Sequence, residues 1–116
     1  MTYGDHLRDT RERLRKEDRR YSLRQVAIRI GVEPAYLSKI ERNQIPPPSE
    51  AVSRKLAAEL NLDTDVLLAM SGKVSSDLQE IIRKRPVLFA ELLRELRDSP
   101  DNAILRIARE VRDGDW

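Results

Sequence analysis

A chain of 116 residues with 36% charged and 4% aromatic side chains suffices for one small domain with an aliphatic core, alone or with an extension. The absence of cysteine excludes disulfides and thiolate metal sites. No apolar run has membrane-spanning length, and the charges from Asp5 onward argue against a signal peptide. We therefore expect a cytoplasmic protein without membrane contact. Residues 1–48 carry a net charge of +4 and residues 49–116 one of −2, which favours a polyanion partner for the first half, although a solvated mixed-charge surface gives the same counts.

A first helix is predicted from Tyr3 to Lys16. Its apolar stripe contains Leu7 and Leu14, seven residues apart, and basic side chains surround it. The polar run 17–20 after it is predicted to be a connector.

Residues 22–43 predict two short helices joined by a tight turn. Ser22 is a good N-cap for the first helix, and Gly31 ends it where positive φ is needed. Pro34 suits the first position of the second helix. The apolar positions fall on one side of each helix, at Leu23, Val26, Ala27, Ile30, Leu37 and Ile40. This is the helix-turn-helix pattern, and the other elements are organised around it.

Two more helices are predicted beyond a loop over residues 43–48, whose three prolines cannot continue a helix. Ser49 caps a helix that ends near Asn61. Asp63 or Thr64 then caps a short helix that stops at residues 71–72.

Residues 72–116 predict three short amphipathic helices. Ser75 or Ser76 would cap the first, Pro86 would open the second, and Ser99 would cap the third. None can bury its apolar stripe alone, so the three must pack on the preceding helices or on a second copy of the chain. We favour a homodimer, whose interface would be formed by Leu88, Phe89, Leu92, Leu93, Leu96, Ile104, Ile107, Val111 and Trp116.

The order and spacing of the first five helices resemble the phage repressor/Cro family of bacterial regulators, also called the xenobiotic-response-element family. The matching stretches are Leu7-Arg8, Arg11, residues 22–27, residues 31–43, Pro48-Ser49, Leu60-Asn61-Leu62 and Leu67-Leu68. Glu33 departs from the family pattern, in which Ser or Thr usually caps the second helix of the pair. Glu is a poorer cap, and it brings a negative charge near the DNA.

The resemblance implies an all-α fold. A five-helix lambda-repressor-like DNA-binding domain would occupy residues 1–71, and a C-terminal extension of about three helices would occupy residues 72–116. In the family, the second helix of the pair lies in the major groove, which implies base contacts from Pro34, Ala35, Ser38 and Lys39. Phosphate contacts are expected from the helix flanks and the start of the preceding helix, at Arg24, Gln25, Tyr36, Arg42 and Asn43.

These roles have structural alternatives. Instead of contacting DNA, Tyr36 could pack across the loop, Lys39 could be a solvated surface lysine, and Arg24 could form only a local ion pair. Arg8 and Arg11 of the first helix could form ion pairs with Asp5, Asp9 or Glu41 inside the domain. The resemblance favours a pair between one of these arginines and Glu41, which gives Glu41 a structural role.

The sequence therefore predicts a homodimeric, sequence-specific regulator, a repressor that occupies a palindromic operator in double-stranded DNA. No catalysis and no cofactor are expected, because the chain has one histidine, no cysteine and no Gly-rich phosphate loop. A related interpretation is the antitoxin of a toxin–antitoxin pair, whose residues 72–116 would grip a toxin or be presented to a peptidase. An interpretation from another class is a protein-interaction adaptor that uses the same fold without DNA.

Overall fold

The computed structural model describes residues 1–116 and contains eight α-helices and one 3₁₀ turn, with no strand. The prediction of an all-α protein is confirmed. The helices are α1 Tyr3–Arg15, α2 Leu23–Ile30, α3 Pro34–Glu41, α4 Glu50–Leu60, α5 Thr64–Ala69, α6 Ser76–Lys84, α7 Pro86–Leu96 and α8 Asp101–Asp113, and the 3₁₀ turn is Arg19–Tyr21. No helix is long and apolar enough to cross a membrane. The chain divides into two compact units, Met1–Ser75 and Ser76–Trp116.

Four helices of the N-terminal unit begin at a side-chain cap. In each, a hydroxyl or carboxylate oxygen accepts the backbone N–H three residues later, which satisfies one free donor of the first turn. The caps are Thr2 for α1, Ser22 for α2, Ser49 for α4 and Asp63 for α5. Of the two candidate caps for α5, the structure selects Asp63.

The helix-turn-helix turn is made by residues that tolerate or require special backbone angles. Gly31 ends α2 at φ +78°, in the left-handed region that a side chain disfavours. The N–H of Val32 donates to the carbonyl of Ala27 at 3.0 Å and closes the turn. Pro34 then starts α3, where its missing N–H leaves no donor unsatisfied. The predicted pair of helices is therefore present with the predicted end residues.

The core of the N-terminal unit is aliphatic, as the low aromatic content requires. It joins the inner sides of α1 to α5 in one cluster that contains Tyr3, Leu7, Val26, Ala27, Ile30, Leu37, Ile40, Leu56, Ala57, Leu60 and Leu67. The Tyr3 hydroxyl is satisfied by the buried Ser53 hydroxyl at 2.7 Å. Burial raises the pKa of Tyr3 above its ordinary value of 10.0.

A buried ion pair joins α1 to α3. The Arg11 guanidinium donates from Nε and Nη2 to the two oxygens of Glu41, at 2.7 and 2.8 Å. Its Nη1 donates to the carbonyl of Tyr21 at 3.2 Å, which adds the 3₁₀ turn to the same junction. The hydrogen bond to Glu41 is the main cause that raises the pKa of Arg11. Of the pairings open to the first helix, this one is confirmed, and Arg8 pairs instead with Asp5.

The C-terminal unit consists of α6, α7 and α8, none of which has a buried residue. The prediction that Ser99 caps α8 is wrong. The helix begins one residue later, at Asp101, with Pro100 as its uncapped N-cap. The Ser99 hydroxyl instead donates to the carbonyl of Glu95 near the end of α7, because a hydroxyl can return to the preceding turn of its own helix.

Glu41→Ala tests the buried pair. Removal of the carboxylate leaves the Arg11 charge buried without its main partner, so the free energy of unfolding should fall by about 3–5 kcal/mol. Urea unfolding at pH 7 measures the change. The control is Glu17→Ala, an exposed glutamate, which should stay within about 0.5 kcal/mol of the parent chain. A loss below about 1 kcal/mol for Glu41→Ala would show that the pair is dispensable.

Candidate nucleic-acid interface

Helix α3 presents a small polar surface opposite its buried side. Leu37, Ile40 and Glu41 are buried, whereas Ala35 and Lys39 are exposed. The small side chain of Ala35 near the start of α3 lets another surface approach the helix closely. An exposed helix of this size fits the major groove of B-DNA, which is about 12 Å wide.

The position of α3 depends on a close approach to the start of α1. A Cβ atom on Gly4 would lie 2.3 Å from the carbonyl oxygen of Ile40 and 3.1 Å from that of Glu41. Since these are backbone atoms of α3, any side chain at position 4 would push the helix outward. Gly4 was not identified from the sequence, because a single glycine in a helix gives no signal of what lies against it.

A polar network closes the same junction. The Thr2 hydroxyl donates to Asn43 Oδ1 at 2.9 Å, and Asn43 Nδ2 donates to Asp5 Oδ1 at 3.0 Å. Asn43 adopts φ +60° just after α3, in the left-handed region that asparagine tolerates better than most residues. Its side chain therefore ties α3 to α1. A phosphate contact by Asn43 remains a prediction, and it would use the second N–H of an amide already engaged in this network.

Ser38 and Arg42 are joined to each other on the surface of α3. Arg42 donates to the Ser38 hydroxyl oxygen from Nε at 3.1 Å and also from Nη2. The Ser38 oxygen thus accepts from a cation, and its own O–H proton remains available for donation. A serine hydroxyl can in general either donate to a base or accept from one. Because Arg42 occupies the acceptor side of the Ser38 hydroxyl, Ser38 is left to act as a donor toward DNA.

The two residues predicted to hold a phosphate at the start of α2 are exposed. Arg24 forms no ion pair, so the structure does not contain the local salt bridge that was the alternative to a phosphate contact. The backbone N–H of Gln25 donates to the Ser22 cap at 3.2 Å, and its side chain is left exposed. Tyr36 is 38% exposed and belongs to the outer surface of α3.

The surface of α2 and α3 carries three cations without an acidic partner. The N-terminal unit has a net charge of +3. Arg24, Lys39 and Arg42 have no acidic partner, while other arginines are neutralised, as in the pair of Arg20 with Asp18 and that of Arg29 with Glu59. Positive charge that is free of internal partners is what a phosphate backbone requires.

The C-terminal unit presents a second candidate surface. Its exposed large apolar side chains are Leu78, Ile81, Val87, Leu88, Leu92, Leu93, Ile104, Leu105, Ile107, Val111 and Trp116. This set includes seven of the nine predicted interface residues, and Phe89 and Leu96 are only partly exposed. Trp116 is 89% exposed, although its Nε1 donates to the carbonyl of Val111 at 3.0 Å. The prediction omitted Leu78 and Ile81 of α6, Val87 of α7 and Leu105 of α8.

Comparison with known proteins finds one family and one distant relative. The profile of a family described as a helix-turn-helix domain matches residues 2–70. A protein of Bacillus subtilis, named as the uncharacterized HTH-type transcriptional regulator RghRB, is 32% identical over 79 residues. The aligned region is 68% of this chain and 53% of the relative, so the chain spans about half the length of the protein it matches. No solved structure matches the chain significantly.

The network around Asn43 predicts a pH dependence. The hydrogen bond from Asn43, with a smaller contribution from Thr2, lowers the pKa of Asp5 below its ordinary value of 3.8. A lowered folded-state pKa adds stability above the unfolded value, and this stability is lost as the pH falls through the folded value. At pH 7, Asp5→Ala should therefore be less stable than the parent chain, and the gap should close below pH 3.8.

Chemical denaturation between pH 7 and pH 2.5 measures that gap. Asp9→Ala, at an exposed position of the same helix, is the control and should follow the parent chain at every pH. A gap for Asp5→Ala that stays constant down to the lowest pH would contradict the role of the charged carboxylate.

Proposed function

The chain belongs to the helix-turn-helix domain family, and from this we propose that it is a sequence-specific transcriptional regulator that reads double-stranded DNA with α3. The observation that carries the proposal is the exposed surface of α2 and α3, which combines Arg24, Lys39 and Arg42, all without an acidic partner, with the small residues Pro34 and Ala35 at the start of α3. The similarity to a protein named as a transcriptional regulator supports the regulatory role. The five helices of Met1–Ser75 support the narrower assignment to the phage repressor/Cro family.

Base readout is assigned to Pro34, Ala35, Ser38 and Lys39. Lys39 would donate to guanine O6 or N7, and Ala35 would contact a thymine methyl group. Ser38 would donate its remaining proton to a base acceptor. Arg24, Gln25, Tyr36, Arg42 and Asn43 would hold phosphates, which fixes the register of α3 in the groove without reading sequence.

Lys39→Ala tests the reading surface. Loss of the ammonium donor should relax the preference at one operator position by about 1–3 kcal/mol, and the other positions should keep their preferences. The measurement is binding to the selected operator and to its single-base variants at several salt concentrations. Arg24→Ala is the matched control, since loss of a phosphate contact should weaken all sequences alike and reduce the salt slope by about 1. An unchanged preference profile for Lys39→Ala would remove this lysine from the reading surface.

The C-terminal unit is proposed to pair with a second copy of itself. A unit of this length is near the lower limit at which a single hydrophobic core is stable without oligomerisation, and α6, α7 and α8 bury none of their residues. The unit has eight basic and nine acidic residues, so two copies carry almost no net charge and do not repel each other. A two-fold dimer would also match an operator with two half-sites, whose usual separation is about 34 Å.

Leu88→Asp/Leu92→Asp tests the dimer. The two leucines lie one turn apart on the same side of α7, and both are exposed, so the carboxylates should leave the helix content unchanged while disfavouring burial against a partner. Sedimentation should show twice the monomer mass for the parent chain and the monomer mass for the variant. Arg94→Asp changes the net charge by the same amount on the opposite side of α7 and should remain dimeric. Equal masses for all three proteins would rule out α7 as the interface.

The regulator would act as a repressor in the cytoplasm, because occupation of a palindromic operator excludes polymerase and needs no catalysis or cofactor. The uncovered apolar helices favour one second candidate, an antitoxin whose C-terminal unit binds a toxin or is delivered to a peptidase. The sedimentation experiment separates the two proposals. A monomer in solution that dimerises only with an added partner supports the second, and a stable dimer that binds a palindrome supports the first.

A further inference from the structure

Helix α3 is the one helix of the N-terminal unit without a side-chain cap. Glu33 occupies the cap position with extended backbone angles, φ −68° and ψ 137°, and its carboxylate makes no hydrogen bond to the helix. The side chain is exposed, and no ion pair or hydrogen bond of the structure involves its oxygens. The carboxylate therefore keeps its full capacity to accept hydrogen bonds.

The location of this carboxylate is informative because of the residues next to it. Glu33 immediately precedes Pro34 and Ala35, the residues at the start of α3 to which the proposed function assigns base contacts. A negative charge next to phosphates weakens DNA binding in general. A group that costs affinity at this place can contribute specificity if it disfavours some sequences more than others.

Base chemistry limits what an ionised carboxylate can accept from. In the major groove the donors are the N4 amine of cytosine and the N6 amine of adenine, whereas guanine and thymine present the acceptors O6, N7 and O4. Adenine also presents the acceptor N7 beside its amine, and the N7 lone pair would repel the second carboxylate oxygen. Cytosine has only a C–H at the corresponding place. Cytosine is therefore the preferred base.

The other polar groups of α3 complement this choice. Lys39 has donors only, and the acceptor side of the Ser38 hydroxyl is taken by Arg42. The helix thus carries a free carboxylate before its first turn and the donors of Ser38 and Lys39 in its second turn. This arrangement matches cytosine at one position and bases with acceptors at the next positions of the same groove.

We propose that Glu33 is a specificity-determining residue, which accepts a hydrogen bond from the N4 amine of a cytosine and disfavours guanine and thymine at that position. The inference rests on the proposed function, since it requires α3 to lie in the major groove. It adds the identity of one operator base and names the residue that selects it.

The experiment selects binding sites from random double-stranded DNA with the parent chain, Glu33→Gln, Glu33→Ser and Glu17→Gln. The parent site should contain a cytosine whose replacement weakens binding on the order of tenfold. Glu33→Gln should change that position to adenine, because a carboxamide offers both an acceptor and a donor to the adenine edge. Glu33→Ser should lose the preference and bind unrelated DNA more tightly. Glu17→Gln removes one negative charge away from α3 and should keep the parent site.

The outcomes distinguish the two levels of the proposal. If the parent chain selects no DNA, the proposed function fails, and the role of Glu33 fails with it. If it selects a site that both Glu33 variants also select, with circular dichroism showing that they are folded, only the role of Glu33 is overturned. The role of Glu33 is likewise overturned if Glu33→Gln and Glu33→Ser increase affinity equally for all sequences, because the carboxylate is then merely repulsive.

Discussion

The orientation of α3 depends on one buried ion pair. Arg11 lies inside the N-terminal unit and holds both oxygens of Glu41 at the end of α3 and the carbonyl of Tyr21 before α2. A buried guanidinium with only one of these partners would be strongly unfavourable, so the three elements must meet in a single arrangement. The aliphatic core supplies most of the favourable burial, and the ion pair restricts how that core can assemble.

The composition of the exposed side of α3 follows from the burial of its other side. Because Leu37, Ile40 and Glu41 are buried on one side of α3, Lys39 and Arg42 are left on the exposed side. Gly4 and the Thr2–Asn43–Asp5 network set the distance between the start of α1 and the same end of α3. The interior thus determines which side chains of α3 are free to meet a ligand, and Lys39 and Arg42 are among the cations left without an acidic partner.

The C-terminal unit differs physically from the N-terminal one. Its helices are well formed, yet none buries a residue, and most of the exposed large apolar side chains of the chain belong to it. Apolar surface of this extent usually marks a place where another protein binds. Its near-zero net charge also makes it the less suitable of the two units for meeting a polyanion.

The sequence by itself determined the helices and most of their ends. Periodic apolar residues, Ser22, Gly31 and Pro34 act through local geometry, so the helix-turn-helix pair could be predicted without a partner for either helix. The candidate site was also predictable as a set of residue types at family spacing. At Ser99 the local signal was misleading, because the hydroxyl had a competing acceptor one turn back.

Only the tertiary structure decided how those side chains are used. It paired Arg11 with Glu41, it assigned Asn43 to the contact with α1, and it occupied the acceptor side of Ser38 with Arg42. It also identified Gly4, whose role depends on a backbone that is distant in sequence. Hydrogen bonds and close contacts between elements depend on distances that no local pattern contains. For the same reason, only the structure shows that the Glu33 carboxylate has no hydrogen-bond or ion-pair partner within the chain.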